Sequence, residues 1–286
     1  MKTIKTLCVL LLTGAFITGC SNDDNTENTP KAIRTYTLSV NATKGDDVAN
    51  TRALTLDGQR LNATWAVGEH VYVRGTQGIK DKFWFKGSIQ PESAGKSTRL
   101  NGEITVPDGW AFTTIQDAIE NHVLGDPLEL DLQFPRQELD YSGQIGTLAD
   151  IAAKYDYAMA TNVQFSVNGN HIEGVDDVTF ENQQAIVKFT LRDKADGTTL
   201  LSPTALTIEY VEEEYVKSVS LTSIPADTYT TNGPGVLFVA IPGFKSQDIT
   251  LTATVGGNTY TYRKSGVTFV NGKYYDITVK MTKASV

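Results

Sequence analysis

Thiol and metal chemistry have little to work with in this sequence. Its 286 residues include two cysteines, Cys8 and Cys20, and three histidines, His70, His122 and His171. The histidines fall on separate predicted elements, with no close pair at helical or hairpin spacing, so the chain is read as holding no metal. Also missing are a Gly-x-Ser-x-Gly nucleophile elbow, a His-Glu-x-x-His pair, a phosphate-binding Gly-x-x-x-x-Gly-Lys loop and any cysteine spacing for zinc. These absences remove the commonest recognisable enzymes, and the expectation is a protein that is not an enzyme and uses no cofactor. Basic charge is short as well: 25 Lys and Arg stand against 33 Asp and Glu, a formal charge of -8. Such a chain has no general attraction for nucleic acid or anionic lipid. No short sequence period recurs, which argues against a solenoid or propeller.

The N-terminus carries a processing signal. Lys2 and Lys5 precede an apolar stretch from Leu7 to Phe16, too short for a permanent membrane span, and Ile17-Thr18-Gly19-Cys20 follows. Small residues directly before a cysteine suit a lipoprotein signal peptidase, which makes residues 1–19 the signal and Cys20 the lipid-bearing first residue. The other reading is a conventional signal peptide that contains a cysteine. Ser21 to Pro30 is polar and acidic with no apolar anchor, so residues 20–33 are read as a flexible tether. Loss of Lys2 and Lys5 would take the formal charge from -8 to -10. With Cys8 removed and Cys20 lipidated, the fold would have no disulfide and would rest on packing. The acidic patch after Cys20 resembles the surface-export signal of Bacteroidota lipoproteins, which implies the outer face of the outer membrane.

Beyond the tether, period-two alternation recurs between turns rich in Gly, Asn, Asp and Pro, the pattern of short antiparallel strands. Thr35 to Ala42 puts Tyr36, Leu38, Val40 and Ala42 on one face. His70 to Arg74 places Val71 and Val73 around Tyr72, and Lys273 to Met281 aligns Tyr275, Ile277, Val279 and Met281. Two segments read as helices: Thr113 to Leu124, with Ile115, Ile119 and Val123 at spacing four, and Thr147 to Ala160. In the second, Leu148, Ile151, Ala152 and Tyr155 form a stripe, and Thr147 with Asp150 approximates a capping box. After the turn-rich stretch Asn168 to Gly174 no helical period appears. The expected organisation is an N-terminal β-sandwich domain over residues 34–180 and a C-terminal one over 181–286.

Few residues invite a chemical role. Asp46-Asp47, Asp176-Asp177 and Glu212-Glu213-Glu214 read as acids that keep turns solvated. Asp193-Lys194-Ala195-Asp196-Gly197 reads as a hairpin turn, with calcium binding as the alternative. In Phe83-Trp84-Phe85 the two phenylalanines point to a core and Trp84 to an edge. Trp65 and Trp110 are read as packed too, while Trp84 and Trp110 are the candidate rings if a glycan is bound. Arg52 follows the polar segment Lys44 to Thr51, read as a flexible loop, and precedes Ala53-Leu54-Thr55-Leu56. The Arg52-Ala53 bond is therefore either an ordinary loop bond or a site for an arginine-specific protease. A cut there would release the strand bearing Tyr36, Leu38 and Val40 and leave a groove able to accept a strand from another subunit.

Asn50 to Gly58, continuing through Leu61 to Glu69 and Val71-Tyr72-Val73, resembles the N-terminal domain of the fimbrillin family. Gly146 to Ile151 with Tyr155-Asp156-Tyr157, Phe180 to Phe189, Val239 to Pro242 and Gly272 to Ile277 agree with it in order. The resemblance implies a mainly β chain of two tandem transthyretin-like antiparallel β-sandwich domains, with one or two short helices in the first. It also implies export as a lipoprotein to the outer membrane, cleavage at Arg52, and assembly with other fimbrial subunits by strand exchange. Because the chain ends at Val286, close after Met281, a tip or minor subunit fits better than a stalk subunit. A host or bacterial receptor or glycan is the expected further partner, and a monomeric, lipid-anchored glycan-binding protein is the alternative.

Overall fold

Strands that alternate apolar and polar residues must cover one face, and this chain does so around two separate apolar interiors. The computed structural model describes residues 35–45, 55–57, 60–62, 64–75, 83–112, 114–136, 140–212 and 214–285. Cys20, Arg52 and Ala53, with the residues read as signal and tether, lie outside the described residues. In chain order the first half holds β1 (Thr35–Lys44), β2 (Thr55–Asp57), β3 (Arg60–Asn62), β4 (Tyr72–Gly75), β5 (Phe83–Trp84), β6 (Lys86–Gly87), β7 (Gln90–Pro91), β8 (Ser97–Thr105), α1 (Ile115–Glu120), β9 (Leu128–Phe134), α2 (Leu148–Lys154), β10 (Ala158–Asn168), β11 (His171–Gly174) and β12 (Val178–Asn182). The second holds β13 (Ala185–Asp193), β14 (Ala205–Glu212), β15 (Tyr215–Leu221), α3 (Asp227–Asn232), β16 (Val236–Ile241), β17 (Phe244–Val255), β18 (Asn258–Phe269) and β19 (Tyr274–Lys283).

The protein is mainly β. The first large sheet runs β5-β4-β9-β10-β11-β1-β8-β6, with β12 continuing the β11 position between β10 and β1, and β7 beside β8. The second runs β15-β14-β17-β18-β19-β13-β16, and β2 pairs with β3 apart from both. Most pairs are antiparallel. β1 is parallel to β11 and β12, and β13 is parallel to β19 from Ile186↔Tyr274 to Asp193↔Met281. Alternation reports which face is buried, not the direction of the neighbouring strand, so these parallel pairs were not legible in the sequence.

In the second sheet β18 and β19 pair only at Tyr260↔Lys283 and Thr261↔Thr282. The strands on either side of that contact send Leu206, Ile208 and Leu251 on one hand, and Val187, Val239 and Met281 on the other, into one interior. β15 and β16 end the strand order, and a segment from the first half of the sequence meets both. The Gly143 N–H donates to Ser220 O on β15 at 2.8 Å. The buried Gln144 amide accepts from Ala240 N and donates to Ala240 O, each at 2.8 Å, and the Phe238 N–H donates to Gly146 O at 2.9 Å. Gly146 has φ +85°, and a Cβ there would stand 2.5 Å from Leu237 Cδ2, so only glycine fits.

The helices are shorter than their periodicity predicts. α1 stops at Glu120 because His122 turns to φ +56° and the amides of Val123 and Leu124 both return to Ala118 O. α2 ends at Lys154, since Ala158 is already in β10. Its cap forms only in one direction: Asp150 N donates to Thr147 Oγ1 at 3.1 Å, while the Asp150 carboxylate accepts from Ile145 N and pairs with Lys154. The expectation of no helix after residue 180 is corrected by α3. Its sequence, DTYTTN, has no apolar period, and it is held from outside: Thr228 donates to Ile145 O, Tyr229 to Pro203 O and Asn232 to Gly146 O.

Replacing Gln144 with Ala strands the buried N–H and C=O of Ala240 and is expected to lower the unfolding free energy by roughly 2–4 kcal/mol. Urea denaturation measures the loss, and hydrogen exchange at the Ala240 amide should accelerate with it.

Candidate functional site

Tyr36, Leu38, Val40 and Ala42 are the in-facing residues of β1, each no more than 2 % exposed, and β-branched or aromatic residues favour the extended chain between them. β1 is an interior strand despite lying nearest the N-terminus. One edge pairs antiparallel with β8 from Thr35↔Thr105 to Thr43↔Ser97. The other pairs with β11 at Thr37–Ser39 and with β12 at Ala42–Lys44. The walls are shaped to it, for a Cβ on Gly174 would lie 2.5 Å from Val40 Cγ2. On the opposite face Asn41 donates to Asp177 at 2.9 Å, and Thr43 and Ser97 hydroxyls bond at 2.8 Å.

Both ends of β1 are fastened by polar groups. The Tyr36 hydroxyl accepts from Ile115 N at 2.9 Å, at the start of α1. At the other end the strand runs two residues past the expected Ala42, and Lys44 belongs to it rather than to the loop assigned from sequence. Lys44 is 2 % exposed, and its Nζ lies 2.8 Å from Glu69 Oε2, 4.2 Å from the Trp65 ring centre and 4.5 Å from that of Phe134. The signal was the in-facing parity of position 44; the polarity of lysine concealed it. Glu69 gave no sequence signal, because its role depends on a loop folding back onto the strand.

The candidate aromatics differ in setting. Phe85 is fully buried, as predicted, and Phe83 packs partly buried beside it. Trp84 is half-buried, with the guanidinium groups of Arg74 and Arg136 standing 5.5 and 5.1 Å from its ring centre. Trp110 is 9 % exposed and packs 4.7 Å from Phe83 and 6.0 Å from Phe112. Trp84 and Trp110 thus stand in different settings, one beside two guanidinium groups and the other against phenylalanine rings. Trp65 is buried and meets Phe180 edge-on at 5.1 Å.

A cleft of about 520 Å³ opens between residues 68–72 and 134–135 on one side and α2 with Asp140 on the other. Its Tyr155 and Tyr157 phenols are pushed up, chiefly by burial, which keeps them protonated. His70 Nδ1 at its rim lies 2.8 Å from Ser88 Oγ and 3.3 Å from Gln90 Nε2, and among the described residues no carboxylate bonds to that ring. A hydroxyl and an imidazole without an orienting third group do not make an activated nucleophile. Among the described residues no cluster of three or more His, Cys, Asp or Glu is placed to hold a metal. In the Asp193–Gly197 turn, Asp193 accepts from Ala195 N and Asp196 accepts from Thr198 N, Thr199 N and the Thr199 hydroxyl. These carboxylates are spent on shaping the turn.

No protein-family model matches the chain, and no curated protein does. Among solved structures it is similar to a fimbrial protein from Bacteroides ovatus, at 11% identity and TM-score 0.37, over 88% of this chain and 50% of that one. This chain therefore spans half the length of that protein. It is also similar to a fimbrial assembly protein from Parabacteroides distasonis, at 13% identity and TM-score 0.35, over 85% of this chain and 90% of that one. A shaft pilin from Lactobacillus rhamnosus GG is similar at 7% identity and TM-score 0.33, over 88% and 99%. With each of these scores below 0.5, the likenesses carry no argument of their own, and the functional reading rests on the geometry of β1.

Leu38→Ala empties a fully buried position in the middle of β1 and is expected to cost about 3 kcal/mol in chemical denaturation. The Asp196 carboxyl, held down first by the Thr199 hydroxyl and then by the Thr199 and Thr198 amides, should titrate at about 2 in place of 3.8. A depressed carboxyl pKa stabilises the turn above the ordinary carboxylate range, and the effect is lost as pH falls towards 2. Carbon-detected NMR reads this titration directly, and Thr199→Val should move it upward.

Proposed function

We propose that this chain is a cell-surface adhesion or pilus subunit without catalytic function, whose working element is the groove that β1 fills. After cleavage at Arg52, a strand from another subunit takes the place of β1 by backbone pairing and by seating side chains where Tyr36, Leu38, Val40 and Ala42 now lie. The observation that carries this reading is the place of β1: an N-terminal strand inserted between walls that have other partners. β8 also pairs with β6 and β7, while β11 and β12 also pair with β10. Withdrawal of β1 would leave two unpaired edges over a row of apolar pockets, the arrangement an extended peptide can complete.

The rest of the reading follows the sequence. Lipid on Cys20 would hold the uncut form at the outer membrane, and the fragment up to Arg52 would carry that lipid away when the bond is cut. A tip or minor subunit is the preferred role. In domain terms, residues 34–180 supply the groove and residues 181–286 the second sandwich. The 141–157 segment from the first half joins the second interior through Tyr141, Ile151, Tyr155 and Tyr157.

Treatment of the purified full chain with an arginine-specific protease should yield a chain starting at Ala53 with the N-terminal fragment still bound, as read by intact mass and native mass spectrometry. Arg52→Ala should abolish that product. A synthetic peptide with the sequence of β1 should displace the fragment; failure to do so while the remainder stays folded would sink strand exchange.

A further inference from the structure

The far end of the β1 groove has an unusual composition. Its Lys44 pocket consists of the Glu69 carboxylate and the rings of Trp65 and Phe134, all buried. Glu69 is 3 % exposed, and its second oxygen, Oε1, has no hydrogen-bond partner among the described residues. Among the described residues, the ammonium group of Lys44 is the cation paired with this carboxylate. The pocket is held by contacts that do not involve β1: Trp65 exchanges backbone hydrogen bonds with Gly95 at 2.7 and 3.1 Å, the Glu69 N–H donates to Ala66 O at 3.2 Å, and Phe134 sits in β9 opposite Ala158. Removal of β1 would leave these contacts in place, with a carboxylate in an apolar, aromatic setting and, among the described residues, no other ion-pair partner. A buried charge stripped of its partner is strongly unfavourable, and aromatic faces attract cations.

We propose that this pocket makes the groove selective for a strand that carries a lysine at the Lys44 position. The inference rests on the strand-exchange reading and adds to it a chemical description of the incoming segment. That segment alternates apolar residues facing inward, begins with an aromatic residue where Tyr36 lies, and ends its inward row with a primary ammonium eight positions later. Its two polar ends also set the register. A slip of two residues preserves the inward apolar face but removes the cation from Glu69 and the hydroxyl from Ile115 N, so the errors that alternation alone permits are penalised. Backbone pairing would accept almost any extended peptide; the cage decides which one and in which alignment.

The test uses the full chain cut in the 46–52 segment with both pieces retained, and fluorescent peptides spanning residues 35–45. The wild-type peptide should displace the bound fragment, and a peptide carrying Lys44→Met, similar in length and apolar, should bind about a hundredfold more weakly. In a chain carrying Glu69→Gln, the preference for lysine over methionine should fall to within about threefold, the size left by losing the ionic term while the aromatic contacts persist. Equal displacement by both peptides on the wild-type chain overturns the selectivity and leaves strand exchange standing. Displacement by neither peptide overturns strand exchange and this inference together. The wild-type comparison decides the matter even where the Glu69→Gln chain does not fold.

Discussion

Every backbone amide taken out of water has to find a partner, and this fold meets that requirement by bringing sequence-distant segments into the sheets. β1 is the larger instance. Its two edges satisfy β8 on one side and β11 with β12 on the other, so β1 is what makes the first sheet continuous between them. The 143–146 segment is the smaller instance: a glycine amide, a glutamine side chain and a glycine carbonyl serve the edges of β15 and β16. The two solutions differ in how the chain is connected to them. The second is made by a segment joined to structured chain at both ends, whereas β1 is joined to the described fold on one side through a stretch that contains Arg52.

That contrast is why the functional reading concentrates on β1 and not on the clefts. The space beside α2 has tyrosines whose protons are kept by burial and a histidine next to a serine, with no carboxylate bonded to that histidine among the described residues. The β1 groove has what recognition needs: a row of buried pockets, two unsatisfied edges if emptied, and a polar fastening at each end.

Much of this was legible in the sequence. Alternation identified the buried face of β1, and Val71, Val73, Val279 and Met281 are buried where the same pattern puts them. Thr147 signalled the start of α2 correctly. What the sequence concealed were features created by long-range contacts. The parallel neighbours of β1 and β13 leave no local trace. α3 exists because three side chains reach Ile145, Pro203 and Gly146, not because of its own pattern. Lys44 reads as loop because a lysine at an inward position is costly unless a carboxylate meets it, and Glu69 lies 25 residues further on, beyond β2 and β3.

The polarity of β1 in its sheet bears on mechanics. The chain enters the strand at Thr35 and leaves it at Lys44, at opposite ends of one extended segment. Tension between those ends is directed along the strand, so its bonds to β8 and to β11 and β12 are loaded in shear, all together, and cannot break in succession as they would under peeling. A strand seated in this groove in the same direction would inherit that geometry, and a joint between subunits would then resist traction through the number of bonds that must yield at once.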